Sequence, residues 1–279
     1  MTKTWFITGA TRGIGREIAL SALHSGDNVV ATGRKPDEIR KGLAIAQADE
    51  RLLALPLDVT DGGQATAAVA AAVARFSRID VLVNNAGYGL LGFFETVEAD
   101  AIAEQYATNV FGTFNVTRAV LPVMRAQRSG HVLNLSSIGG VVGFGGAAAY
   151  TSTKFAIEGF SEDLAIDVKP FGIRVTIVEP GFFRTDFLAS SSVRYGAVAI
   201  DDYATAAQRE HYDAHSGKQA GDPRKLAEAI VKVVASDDPP LRYAAGTDAV
   251  RMTRETLEKR LAELARWEDL SNSTDADAA

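Results

Sequence analysis

The 279-residue chain has no cysteine. That excludes disulfides and thiolate metal sites and is consistent with a cytoplasmic location. No uninterrupted apolar run approaches the ~20 residues needed to span a bilayer, so no membrane passage is expected. The opening Met1-Thr-Lys-Thr-Trp-Phe-Ile leads directly into a strand-like run and lacks a signal-peptide profile. Positive charge is not in excess, because 29 Lys and Arg against 35 Asp and Glu give a net charge of -6. A nucleic-acid or anionic-membrane partner is therefore not expected, since phosphate binding needs a basic face. Two signatures of other chemistries are also missing. Gly-x-Ser-x-Gly, the esterase elbow, does not occur. His211 and His215 lie four apart, but no H-E-x-x-H pattern or other ligand cluster accompanies them, so no metal site is expected.

What the chain does have is a regular alternation of short apolar runs and amphipathic stretches. Strands are expected at 4–8, 28–32, 52–57, 81–84, 131–136, 174–179 and 241–244. Helices are expected at 14–25, 36–48, 61–76, 99–127 with a break near 109–112, 147–169, 223–235 and 247–267. Asp61 with Gln64, and Asp222 with Pro223, read as helix starts. Strands alternating with helices of this length imply one α/β domain over 1–270. Its core would be a doubly wound, Rossmann-type parallel sheet of about seven strands, with helices on both faces. Residues 182–221 break the rhythm. That stretch is polar, spiked with aromatics and without an obvious strand, and it is expected to be a substrate lid. Residues 271–279 are short, acidic and without apolar periodicity, and are expected to be disordered.

Three clusters carry chemistry. Thr8-Gly9-Ala10-Thr11-Arg12-Gly13-Ile14-Gly15 sits where the first strand turns into the first helix, and its glycines let backbone N–H groups approach a pyrophosphate. The second strand ends Thr32-Gly33-Arg34-Lys35, with no carboxylate to accept from a ribose 2′-hydroxyl. Arg34, with Arg12, can instead meet a 2′-phosphate, which points to NADP(H) over NAD(H). Tyr150 and Lys154 stand four apart on a predicted helix and share a face. An ammonium about 5 Å from a phenol, at an effective dielectric of ~20, favours the phenolate by roughly 3 kcal/mol, about two pKa units. Ser137, behind a glycine-rich turn, can reach the same point.

Together with Asn84-Asn85-Ala86-Gly87, Asn109, Pro180-Gly181 and Thr185, these motifs resemble the short-chain dehydrogenase/reductase family. They occur in its order and spacing over residues 4–185 and more loosely to the end. The resemblance implies an NADPH-dependent carbonyl reductase or alcohol dehydrogenase. Gly9, Gly13 and Gly15, with Thr11, Arg12 and Ile14, would bind the pyrophosphate and adjoining ribose. Asp58 and Val59 would hold the adenine edge, and Asn85, Ala86 and Gly87 would line the adenosine side. Tyr150 would be the acid/base and Ser137 would hold the substrate oxygen. Lys154 would bind the nicotinamide ribose and lower the Tyr150 pKa, while Asn109 would hold a water linking Lys154 to solvent. Pro180, Gly181, Phe183 and Thr185 would fix the nicotinamide.

Tyr88, Phe93, Phe144, Phe182, Phe183, Phe187 and Tyr195 could wall a pocket for a ketone, aldehyde or secondary alcohol with an apolar body. The lid stretch has no arginine cluster, so a phosphorylated or acyl-carrier substrate is not the expectation, though Arg184 and Arg194 leave it open. The family resemblance further implies a homodimer or homotetramer. An NAD-dependent hydroxysteroid-type dehydrogenase and a non-catalytic NADP(H)-sensing protein are the alternatives. Gly33-Arg34 speaks against the first, and the retained tyrosine and lysine speak against the second.

Overall fold

Each expected strand forms, and all seven join one parallel sheet. In chain order, β1 (Thr4–Ile7), α1 (Gly13–His24), β2 (Asn28–Gly33), α2 (Pro36–Gly42) and β3 (Leu52–Pro56) come first. α3 (Gly62–Phe76), β4 (Val81–Asn84), β5 (Gly89–Leu91), α4 (Ala99–Tyr106), α5 (Gly112–Gln127) and β6 (Gly130–Leu135) follow. Then come α6 (Ala148–Val168), β7 (Ile173–Pro180), β8 (Val193–Tyr195), α7 (Thr205–His215), α8 (Pro223–Ala235), β9 (Arg242–Ala245) and α9 (Thr247–Asn272). The computed structural model describes residues 2–43, 50–189 and 192–276. The His211 and His215 side chains, the end of the helix expected at 36–48, and the last three residues of the tail lie outside that description.

The main sheet has the order β3-β2-β1-β4-β6-β7-β9, and every adjacent pair is parallel. The chain steps outward from β1 to β3, then returns to the other side of β1 at β4. This reversal opens a crevice at the carboxyl ends of β1 and β4, where doubly wound sheets bind ligands. Both faces are covered, so the strands read as continuous apolar runs instead of alternating ones. Trp5 and Ile7 of β1 face a core with α1 and α8, while Phe6 faces a second core with α3, α5 and α6. All three are fully buried.

The expected helix starts hold. Asp61 accepts the N–H groups of Gly63 and Gln64 at 2.8 and 3.0 Å, and Gln64 Nε2 donates back to it at 3.0 Å. Asp222 accepts the Arg224 N–H at 2.9 Å, with Pro223 opening α8. The expected break near 109–112 is a single π-turn, Ala107–Phe111, between α4 and α5; such turns mark functional positions in helices.

Two expectations are corrected. Residues 182–221 are not strandless: β8 pairs in parallel with β5 as a separate two-stranded sheet, and α7 follows. β8 has only three residues, and its partner β5 precedes it by about a hundred positions, so the pairing leaves no local periodicity to read. α9 runs to Asn272, past the expected end at 267 and into the stretch expected to be disordered. Beyond Arg260 every residue of α9 is exposed, Leu261, Leu264 and Trp267 among them, so the helix lacks the buried stripe that would have marked its length. No described helix is long and apolar enough to cross a membrane.

Candidate active site

The turn after β1 and the turn after β4 meet at the switch point and lock each other. The Thr8 hydroxyl accepts the backbone N–H groups of Asn85 and Ala86, each at 3.0 Å. The Asn85 amide donates to the carbonyls of Thr8 and Gly9 at 2.9 and 3.1 Å. Gly9 has a φ of +65°, and a Cβ there would lie 2.9 Å from Ala86 Cα; a Cβ on Gly15 would lie 2.3 Å from Asn85 Nδ2. Only glycine fits either position. Gly13 differs, because the nearest atom to a Cβ there would be Thr185 Cβ at 3.8 Å. Gly13 and Thr185 thus face one another across the cleft at the start of α1, where the first N–H groups of the helix, those of Ile14 and Gly15 included, have no carbonyl of their own turn to bind.

The rest of the expected cofactor-side residues surround this cleft. Arg12 is the extended residue just before α1. Thr11 abuts the end of β2, since a Cβ on Gly33 would lie 2.7 Å from Thr11 Oγ1. Arg34, next in line, is exposed and has no side-chain partner among the described residues. The turn after β3 is fixed from within, with Asp58 Oδ1 accepting the Thr60 N–H and hydroxyl at 3.0 and 2.8 Å and the Val59 carbonyl accepting the Asn115 amide at 3.0 Å. On the far side, β7 ends at Pro180. The Gly181 N–H donates to the Ala245 carbonyl at 2.9 Å, and the Phe182 N–H to Asp248 Oδ2 at 2.7 Å.

Tyr150, Ser137 and Lys154 converge at the same end of the sheet. Ser137 follows β6 in extended backbone, its hydroxyl accepts the Gly139 N–H at 3.0 Å, and it lies close enough to the Tyr150 phenol to favour the phenolate. A Cβ on Gly139 would touch Tyr150 Cε1 at 3.4 Å, so the glycine turn seats the ring. Lys154 Nζ lies 5.8 Å from the centre of that ring and donates to the Leu135 carbonyl at 2.7 Å. Asn109 lies in the π-turn. Its side chain accepts the Tyr88 N–H at 3.1 Å and donates to the Tyr88 carbonyl at 3.0 Å and to Thr153 Oγ1 at 3.2 Å. Thr153 in turn donates to the Tyr150 carbonyl at 2.7 Å. These contacts tie Asn109 to the chain after Gly87 and to the second turn of α6.

The expected drop in the Tyr150 pKa is reversed. Burial pushes the phenol up to about 12, with the Ser137 hydroxyl acting the other way. The sequence-based estimate counted the attraction of the ammonium and left out the loss of water around the phenolate. Lys154 suffers the same loss. Burial pushes it down to about 8, opposed by the carboxylate of Glu158 one helical turn on.

The aromatics expected to wall a pocket divide. Phe187 lies 5.4 Å from Tyr150, centre to centre, and Phe144 and Tyr195 join it around the buried Leu91, Ala147, Leu188 and Val193. Phe182 meets Phe144 edge-on at 6.0 Å. Tyr88 lies under the Arg194 guanidinium. Phe93 instead stacks on Tyr203, and Phe183 packs into the main core, so these two line no part of this cluster. Both lid arginines are engaged. Arg184 donates to the Gln219 carbonyl at 3.1 Å, and Arg194 pairs with Glu104. The helix α7 rests on the turn before α6, where the Gln208 amide and the Tyr212 hydroxyl both donate to the Gly145 carbonyl at 3.4 Å.

Thr8, Thr153 and Asp248 escaped the sequence reading as positioning residues. Thr153 lies inside the Tyr150–Lys154 motif and could have been noticed there; Asp248 is brought in by β9 and carries no local signal.

A family model described as short chain dehydrogenase matches residues 3–195. An oxidoreductase named BOA17 from Botryotinia fuckeliana is 42% identical over 97% of this chain and 98% of its own. A 3-ketodihydrosphingosine reductase from Bacteroides thetaiotaomicron is 38% identical over 86% of each chain. Among solved structures, a short-chain dehydrogenase from Streptomyces avermitilis superposes with a TM-score of 0.90 at 41% identity, covering 99% of this chain and all of the other.

Proposed function

Since this chain belongs to the short-chain dehydrogenase family, we propose that it is an NADPH-dependent reductase of ketones or aldehydes with an apolar body. The observation that carries the reading is the Tyr150 phenol, seated with the Ser137 hydroxyl around Gly139 and backed by Lys154, at the same sheet end as the glycine turn.

The residues of the cleft fit a dinucleotide. Gly13 brings the start of α1 to within one methyl of Thr185 without a clash, and the first N–H groups of that helix favour a pyrophosphate. Arg34 and Arg12 would meet a 2′-phosphate with a guanidinium fork. Lys154 would hold the nicotinamide ribose, with Thr185 and the Pro180–Phe183 backbone on the carboxamide side. When bound, the reduced nicotinamide supplies a hydride to the carbonyl carbon. Negative charge then develops on the carbonyl oxygen, where Ser137 and Tyr150 donate hydrogen bonds. A phenol held near 12 carries its proton throughout the neutral range. It is therefore available to give that proton to the oxygen.

Phe187 beside the phenol, with Phe144, Leu188 and Tyr195 around it, supports an apolar substrate body. The engagement of Arg184 and Arg194 within the protein argues against a phosphorylated one. A relative that is named a reductase of a 3-keto compound agrees with a ketone.

The test is an NADPH-oxidation screen against apolar ketones, aldehydes and quinones, with NADH as comparison and Arg34→Asp alongside. Turnover with NADPH, and a rise in its KM in the variant of roughly 10- to 100-fold beyond any change for NADH, is expected from the loss of charge-assisted hydrogen bonds. Silence across the panel would remove the reductase reading. Equal losses for both cofactors would remove the 2′-phosphate.

A further inference from the structure

Behind Lys154, on the side away from Tyr150, three acidic side chains gather around one arginine. Glu158 lies one helical turn after Lys154 on α6, and Glu162 one turn further. Glu179 comes from the end of β7, and Arg242 from the start of β9. Arg242 Nε is 3.3 Å from Glu158 Oε2 and 3.7 Å from Glu179 Oε1, and its Nη2 is 3.0 Å from Glu162 Oε2. Glu158 and Glu179 are 7% and 1% exposed, which is unusual for carboxyl groups. One oxygen of each, Glu158 Oε1 and Glu179 Oε1, is buried without a hydrogen-bond partner, as is the Ser136 hydroxyl beside Glu158.

A buried cluster of this kind has a cost, because desolvation penalises every charge in it. Two carboxylates within reach of one guanidinium nitrogen also repel, which raises the pKa of the less compensated one. Burial and the neighbouring Glu158 push Glu179 up to about 7, so it keeps its proton below that pH and ionises before Lys154 titrates. Glu158 is also raised by burial, but the adjacent Ser136 hydroxyl, then Arg242 and Lys154, favour its ionised form. Around Lys154 the titratable groups are Tyr150 and Glu158 on its own helix, with Glu179 and Arg242 on the strands beneath. The segment after β6 brings only Ser136 and Ser137.

We propose that Glu158, anchored by Arg242, is a positioning residue that keeps Lys154 an ammonium in its dry seat against Leu135. The arrangement gives the reaction a charge it needs without exposing it to water. Lys154 must be charged to hold a ribose through an ammonium, and it is buried. Without a counter-charge it would lose its proton near neutral pH. The inference rests on the reductase reading for its purpose, but the state of Lys154 can be measured without cofactor or substrate.

The experiment is an NMR titration of the whole protein carrying labelled lysine and glutamate side chains, with Lys154→Arg and Glu158→Asp used to assign the two signals. In the unaltered protein Lys154 is expected to titrate near 8, far below the exposed lysines, and the Glu158 carboxyl carbon should register the same inflection. Glu158→Gln should lower the Lys154 midpoint by about one pH unit or more, and the alkaline limb of kcat/KM should move down with it. Glu158→Asp, which keeps the charge, should hold the midpoint closer to its original value. An unmoved Lys154 midpoint in Glu158→Gln would overturn the proposal, leaving the carboxyl a packing group. If that variant does not fold, absence of the Lys154 inflection from the Glu158 signal in the unaltered protein would overturn it equally. Failure of the reductase reading would look different, with no carbonyl turned over while the coupled titration persists.

Discussion

At the scale of the residue, the central finding is that Tyr150 holds its proton more firmly than its sequence setting suggests. Tyr-x-x-x-Lys spacing does bring ring and ammonium within 5.8 Å. Whether that contact lowers or fails to lower a pKa depends on how much water both groups lose, and burial is a property of the packed molecule. Tyr150→Phe is expected to leave NADPH binding within a factor of about two while cutting kcat by ~10²-fold or more, the range for loss of a positioned acid. Cofactor binding would be followed by fluorescence titration and turnover by NADPH absorbance. A variant that keeps most of its kcat would show that another group supplies the proton. Arg34 was legible for the opposite reason. It stands at the end of a strand, and the residue there is exposed whatever packs behind it.

At the scale of the element, the strands and most helix starts could be read because their causes are local. Asp61 caps α3 using Gly63 and Gln64, two and three positions on. The backbone N–H of Gln64 is the leading reason its carboxyl is held below the usual carboxylate range. Asp61→Ala should therefore lower the Tm by about 2–4 °C, the usual consequence of losing one cap in a chain of this size. Asp61→Asn, which can still accept both N–H groups, should recover most of it. Calorimetry on the three proteins decides the matter, and equal Tm values would show that α3 is held by packing alone. β5 and β8 are the contrary case. Each is three residues long, and a side chain at Gly89 would crowd Phe187, which lies 3.0 Å from where its Cβ would be. Nothing within either segment indicates its partner.

At the scale of the whole molecule, burial sets how stability depends on pH. His131 is enclosed in β6. Thr176 gives its hydroxyl hydrogen to the Pro240 carbonyl at 2.7 Å, so His131 Nε2 must donate to Thr176 Oγ1 at 2.9 Å. A second proton would enter at Nδ1, which is buried without a partner. Burial, with Arg174 adding to it, pushes the imidazole down to about 4 from an ordinary 6.5. The unfolded chain therefore takes up that proton first. The His131 contribution is complete above pH 6.5 and lost as pH falls through 4, roughly 3 kcal/mol in all.

Glu179 runs the other way. Its folded carboxyl sits at about 7 against an ordinary 4.5, so its contribution is complete below 4.5 and lost as pH rises through 7. The two slopes oppose one another where they overlap, and the urea midpoint should change little there. His131→Gln removes one slope, so its midpoint should climb as pH is lowered from about 7.5 to about 5. Urea titrations of both proteins across that range test this, and a variant as flat as the parent would remove His131 from the account.

The sequence alone determined the parallel α/β architecture, the glycine turn, the Tyr150–Lys154 pair and the capped helix starts. Each depends on neighbours within a turn or a strand, where spacing fixes contact. Tertiary structure decided what long-range packing brings together: Thr185 facing Gly13, Asp248 under the Phe182 N–H, α7 on Gly145, and the Glu158–Glu179–Arg242 cluster behind Lys154. It also decided the sign of the Tyr150 shift. Attraction between two groups can be estimated from their separation along a helix, but the water each one gives up is set by every segment that closes over them.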